Sequence, residues 1–210
     1  MRARQMDEST LLRDGDIRRA LEESLVLEHR VSGDTTILHE MKVYRPTARA
    51  DVAVVNGEIT AFEIKSDVDS FARLKDQVAA YNTVFDRVSI VTTARQLKLA
   101  RQKVPCWWGI ATSDGHSISV KRSAKKNPNR VIESLLFSLS RRELIEVLKV
   151  NNSARGQYGC SMAELISLAT QRIPEDKLRA SCRGVLKLRR GIYISPSSSP
   201  PDRASICSAE

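Results

Sequence analysis

Four residues in a short stretch of this chain have types and spacing that can carry chemistry: Glu40, Asp51, Glu63 and Lys65. Thr60-Ala-Phe-Glu63-Ile-Lys65-Ser66 reads as a strand, and alternation sends Glu63 and Lys65 to one face, Phe62 and Ile64 to the other. Upstream, Asp51 enters an otherwise apolar run, Ala50-Asp-Val-Ala-Val-Val55, and the hairpin signal Asn56-Gly57 folds the two segments until Asp51 and Glu63 are within reach. Folding about Arg45-Pro46-Thr47 brings Glu40 roughly opposite Asp51. Three carboxylates beside an ammonium form a hard-oxygen cage suited to Mg²⁺ or Mn²⁺. Such an ion polarises a phosphodiester and lowers the pKa of a bound water, and a lysine can orient that water or stabilise charge developing at phosphorus. The same residues also make a cross-strand salt bridge on a solvated sheet face, which needs no function. Spacing alone leaves both readings open.

The elements that must position these residues are legible from periodicity. Residues 16–28 predict a helix, with Ile17, Leu21 and Leu25 at helical spacing and Asp14 or Asp16 as its cap. Strands are expected over 36–44, 49–56 and 58–66, then a helix over 70–85 with the apolar stripe Phe71, Leu74, Val78, Tyr81 and Phe85. A buried strand over 87–93, a helix over 95–102 and a strand over 107–111 complete an α/β domain on a mixed sheet, residues 1–120. After the Asp114-Gly115 turn, a basic all-helical unit is expected over 121–192. Its parts are a long helix over 130–150, a helix capped by the Ser161-Met-Ala-Glu164 box, and a last one from Pro174 to near Arg190. Residues 193–210, rich in Ser and Pro, read as a disordered tail.

Charge is distributed unevenly. Of the net +9, residues 1–120 contribute nothing, with 17 Lys/Arg against 17 Asp/Glu, while residues 121–210 hold 17 against 8. Such asymmetry points to a polyanionic partner. Lys121, Arg122, Lys125, Lys126 and Arg130 place five cations in ten residues, a pattern suited to phosphate contact without base reading. Apolar residues at 41% allow a sizeable core, and no run approaches the roughly 20 apolar residues of a membrane span. No apolar stretch follows the N-terminus as a signal peptide would require, so a cytoplasmic protein is expected. Cys106, Cys160, Cys182 and Cys207 are too widely spaced for a zinc or iron–sulfur site and read as reduced thiols. His29, His39 and His116 show no ligand spacing, and Trp107-Trp108 reads as core.

The pattern Asp51-(x)11-Glu63-Ile64-Lys65 resembles the PD-(D/E)XK nuclease superfamily, and Gln77-Val-Ala-Ala-Tyr81 resembles the Gln-x-x-x-Tyr motif of its RecB-like branch. A wider set, Arg49-Ala-Asp51, Phe62 to Asp67, Arg73-Leu74 and Pro105 to Ile110, looks like a small bacterial family sharing that core. The resemblance implies a restriction-endonuclease-like fold, with Asp51, Glu63 and Lys65 catalytic. Asp51 and Glu63 would hold Mg²⁺ or Mn²⁺ with the Ile64 carbonyl, and Glu40 would be a further acid for which Glu22, Glu23 and Glu28 compete. Gln77 and Tyr81 would position DNA or the lysine, although Tyr81 is as well explained as a core aromatic. Ala50 stands where the motif's name has proline, a position that is no ligand. The function so implied is metal-dependent hydrolysis of DNA. The alternatives are a catalytically silent nucleic-acid-binding module and an interaction subunit docking through its C-terminal helices; a homodimer is compatible with each.

Overall fold

The computed structural model describes residues 11–43, 48–154 and 159–195. The expected turn at Arg45–Thr47, Cys207 and the tail from Pro196 lie outside the described residues. The elements are α1 (Asp14–His29), β1 (Thr35–Lys42), β2 (Arg49–Val55), β3 (Ile59–Lys65), α2 (Leu74–Val84), β4 (Arg87–Thr92) and α3 (Leu97–Lys103). They continue through β5 (Gly109–Ser113), β6 (Ile118–Arg122), α4 (Ile132–Phe137), α5 (Arg141–Val150), α6 (Met162–Arg172), α7 (Glu175–Lys187) and β7 (Ile192–Ile194).

The strands form one mixed sheet ordered β6-β5-β4-β3-β2-β1-β7. β1, β2 and β3 are an antiparallel meander, while β4 and β5 run parallel to β3, reached by the crossovers α2 and α3. Strand alternation divides the apolar residues between two faces. Ile37, Val52, Val54, Ile64 and Val91 meet Ile17, Leu21 and Leu25 of α1. On the opposite face Leu38, Ala53, Ala61 and Ile90 join a larger cluster with α2 and with Leu135, Leu144, Leu148, Leu165 and Leu186 of α4–α7. The sheet is thus flanked by helices on both faces, and no described helix is long and apolar enough to cross a membrane.

The C-terminal half departs from the sequence reading in three places. The boundary expected after residue 120 falls inside β6, and residues of the helices that follow join the core cluster of the sheet. The helix expected over 130–150 is two helices, because Ser140 opens a new one. Its hydroxyl accepts from the Glu143 N–H at 3.3 Å, and the Glu143 carboxylate accepts from the Ser140 N–H at 2.7 Å. Residues 192–194 are an edge strand on β1 where a tail was expected to begin. Gly191 permits the approach, since a Cβ there would sit 2.3 Å from the Ile37 carbonyl oxygen.

Candidate active site

The β2–β3 ladder runs from Val55↔Ile59 to Val52↔Phe62 and stops one pair short of Asp51 and Glu63. Where the strands part, the Asp51 side chain takes the vacated ladder position: its Oδ2 accepts from the Ile64 N–H at 2.7 Å. Ile64 and Phe62 face the α1 cluster, as alternation requires, which leaves Glu63 and Lys65 on the side covered by α2. Both are buried, and Lys65 Nζ donates to Glu63 Oε1 at 2.7 Å.

α2 presents Gln77 and Tyr81, four residues apart and so on one helical face. Gln77 Nε2 donates to Glu63 Oε1 at 2.6 Å, and the Tyr81 hydroxyl lies 2.7 Å from Glu63 Oε2. That hydroxyl also contacts the Arg49 carbonyl, so its one proton is shared between two acceptors. Burial and the Glu63 charge push the Tyr81 phenol up, away from ionisation. The ring stacks on Trp108 at 6.0 Å, whose indole Nε1 donates to Asn82 Oδ1 at 2.9 Å. Tyr81 is therefore both a core aromatic and a carboxylate donor. Gln77 Oε1 is buried with no hydrogen-bond partner among the described residues.

Glu40 and Asp51 lie opposite each other in register, between the pairs His39↔Val52 and Met41↔Ala50. Glu40 has φ 50°, a left-handed conformation that only an over-determined position sustains in a non-glycine residue. The kink turns its carboxylate outward to Arg18 Nη2 at 3.4 Å and Arg49 Nε at 3.5 Å. Arg18 also donates through Nε to Asp14 Oδ1 at 3.0 Å and through Nη1 to the Asp51 carbonyl at 2.8 Å, with Nη2 3.7 Å from Asp51 Oδ1. Burial pulls the Arg18 guanidinium down, but Asp14, Asp51 and Glu40 outweigh it and hold it above its ordinary value. Burial, then the charge of Glu63, pushes the Asp51 carboxyl up to about 7, against the Ile64 hydrogen bond and Arg18.

Of the acids on α1, Asp14 approaches Asp51 through Arg18. Glu22 instead faces His39 Nδ1 at 3.3 Å, and Glu23 and Glu28 point to solvent. Nothing in the sequence marks Asp14 and Arg18 as site residues, because there they form only an i,i+4 pair on a helix whose Ile17 and Leu21 face the core. Among the described residues no three His, Cys, Asp or Glu side chains are grouped to hold a metal ion. Glu40 therefore does not close a three-acid cage here, because its kinked backbone commits it to Arg18 and Arg49. The remaining donors still fit a hard cation. Mg²⁺ is commonly held by one or two carboxylates with water completing the shell, and the Glu63 carboxylate lies close enough to raise the Asp51 carboxyl's cost of ionisation.

The basic run divides by environment. Lys121 and Lys125 are exposed, and exposed Lys126 lies 3.9 Å from Glu58. Arg122 instead donates to the carbonyls of Trp108 at 2.7 Å and Pro105 at 2.8 Å, and Arg130 is paired with Asp86.

Comparison with known proteins gives two kinds of likeness. A family model described as "Bacteriophage P4 protein cII" matches residues 7–193. The relative "Protein cII" of Enterobacteria phage P4 is 36% identical over 111 residues, which cover 53% of this chain and 42% of that protein. The match thus spans less than half the length of that curated relative. A solved structure of a protein of unknown function from Silicibacter pomeroyi aligns over 71% of this chain and 99% of its own, at 19% identity and a TM-score of 0.43.

Proposed function

This chain belongs to the bacteriophage P4 protein cII family, and we propose that it is a divalent-metal-dependent nuclease with a restriction-endonuclease-like core, acting on DNA. The observation that carries the reading is the closure of Lys65, Gln77 and Tyr81 on the Glu63 carboxylate, one strand from Asp51. A solvated cross-strand salt bridge would need none of this, since a buried carboxylate is costly to form and is here given three side-chain donors.

In this reading Asp51 and Glu63 hold Mg²⁺ or Mn²⁺, with the Ile64 carbonyl as a further donor. When bound, the ion supplies Lewis acidity toward the phosphodiester and a lowered pKa for an attacking water. Lys65 stabilises the charge that develops on the phosphate oxygens. Gln77 and Tyr81 are positioning residues: they fix the Glu63 carboxylate so that it cannot rotate away. The exposed Lys121, Lys125 and Lys126 meet the DNA backbone, whereas Tyr81 is fully buried and acts through Glu63 rather than on the strand.

The test is cleavage of plasmid, linear duplex, single-stranded and four-way-junction DNA with Mg²⁺ or Mn²⁺, wild type beside Lys65→Ala and Asp51→Ala. Wild-type cleavage that EDTA abolishes and both variants lack is the expected outcome. Equal cleavage by all three sinks the assignment. One observation favours the silent nucleic-acid-binding module instead: every charge in the site already has a partner, Arg18 standing against Asp51 and Glu40 and Lys65 against Glu63. Salt-sensitive DNA binding without cleavage under any metal would select that reading.

A further inference from the structure

Arg18 stands where a divalent ion would have to compete with it. Its guanidinium reaches Asp14 at 3.0 Å, the Asp51 carbonyl at 2.8 Å and Glu40 at 3.4 Å, and lies 3.7 Å from the Asp51 carboxylate. An ion held by Asp51 would lie within a few ångströms of this fixed positive charge, and at that range like charges in a partly desolvated site repel strongly. The Arg18 side chain is also 21% exposed, so a group arriving from solvent can reach it. Its fork matches a phosphate as well as it matches a carboxylate. The contacts to Glu40 and Asp51 Oδ1 are long, at 3.4 and 3.7 Å, while the i,i+4 pair with Asp14, at 3.0 Å through Nε and 3.4 Å through Nη2, keeps the side chain tethered when those two let go.

We propose that Arg18 is a displaceable internal cation that couples metal loading to nucleic-acid binding. A phosphate of the incoming strand draws the guanidinium off Glu40 and Asp51, and the carboxylate so released takes the divalent ion. The converse holds by linkage: an ion on Asp51 frees Arg18 for a phosphate, and each ligand raises the affinity of the other by the same factor. Glu40, turned outward by its left-handed backbone, is then the acid that parks the arginine in the resting protein. This rests on the reading of Asp51 and Glu63 as metal ligands.

The experiment measures Mn²⁺ affinity of the full chain by loss of the free-ion EPR signal, with and without a short phosphorothioate DNA that resists cleavage. Oligonucleotide alone serves as blank. For wild type, the DNA should tighten Mn²⁺ by at least about five-fold, the lower end of usual coupling between sites. Arg18→Met should bind Mn²⁺ at least about five-fold tighter than wild type without DNA and lose most of the coupling. Arg18→Lys keeps the charge and should stay near wild type in Mn²⁺ affinity, and melting curves establish that each variant is folded. Arg18→Gln carries the same expectation as Arg18→Met should the latter not melt cooperatively. If Arg18→Met binds Mn²⁺ no tighter than wild type while Asp51→Asn abolishes binding, the coupling is wrong and the metal-dependent reading stands. If neither wild type nor Arg18→Met takes up Mn²⁺, with or without DNA, the metal reading fails and the coupling falls with it.

Discussion

Around Glu63, three side-chain donors from two elements close on one carboxylate that is 1% exposed, whereas from Lys121 to Arg190 the cations are scattered over the surface and many are tied down singly. Arg130 pairs with Asp86, Arg179 with Glu175, Lys187 with Asp34 and Arg189 with Glu143, while Arg122 caps two carbonyls. The near-neutral half of the chain buries one charge pair, Glu63 with Lys65, inside a shared network, and the strongly cationic half disperses its charges into fold-holding contacts. Net charge along the sequence is thus a poor guide to where charge is organised. The excess of +9 sits in the half with less of it built into a site.

The sharpest way to break this contrast is at the buried pair. Lys65→Met leaves the Glu63 carboxylate with Gln77 and Tyr81 but no cation, and uncompensated burial of one partner of such a pair costs roughly 3–5 kcal/mol. Urea denaturation should show that loss, and Lys65→Met combined with Glu63→Gln should recover most of it, because the remaining groups can hydrogen-bond without net charge. A single variant as stable as wild type would mean that Glu63 is solvated and the network is not the closed one described. Tyr81→Phe removes only the hydroxyl shared by Glu63 and Arg49 and should cost about 1.5–3 kcal/mol, the range for a hydrogen bond to a charged group.

Asp51 gives an effect of opposite sign. Its carboxyl is held at about 7 against an ordinary 3.8, so between those pH values the native protein keeps a proton that the unfolded chain has released. Stability attributable to Asp51 therefore falls as pH rises from about 4 to about 7 and is level above that. Asp51→Asn keeps an acceptor for the Ile64 N–H and removes the charge. It should raise the melting temperature at pH 8 by about 2–8 °C, corresponding to 1–2 kcal/mol in a chain of this size, and flatten the slope between pH 4 and 7. In the nuclease reading the same variant is inactive, so a stabilised dead protein is expected. A melting temperature unchanged at pH 8 would show that Asp51 is ionised without penalty.

Sequence reading located the network but not its surroundings, for identifiable reasons. Asp51, Glu63, Lys65, Gln77 and Tyr81 come together through one hairpin and one crossover, both local and both set by strand and helix periods. Counting residues around the β1–β2 turn also places Glu40 opposite Asp51, yet nothing in its type foretells the left-handed backbone that swings its carboxylate to Arg18. Arg18 itself is invisible to a charge count, because Asp14 cancels it four residues away. β7 is three residues long and defined only by pairing with β1, which lies more than 150 residues earlier in the chain. β6 carries mostly exposed side chains, so it lacks the apolar alternation that marks a strand. The break between α4 and α5 is hidden because Leu139 continues the apolar stripe across it, although Ser140 and Glu143 form the same capping box that was legible at Ser161.

The smallest effects on stability separate the two kinds of cation within the basic run. Replacing Lys121, Lys125 and Lys126 together by Ala removes exposed side chains and should leave the melting temperature within about 1 °C, since surface changes of this kind are usually worth under 0.5 kcal/mol. Arg122→Ala and Arg130→Ala should each lower it by several degrees, because the first strands two carbonyls and the second leaves buried Asp86 without its cation. Nucleic-acid affinity should invert that order. The triple lysine variant should lower the slope of log affinity against log salt by up to about 3, since each phosphate left unneutralised on duplex DNA is worth about 0.9. The two arginine variants, folded below their melting points, should keep the wild-type slope. A slope lowered by Arg122→Ala and Arg130→Ala but untouched in the lysine variant would reverse the division, making the fold-holding arginines the groups that meet the DNA.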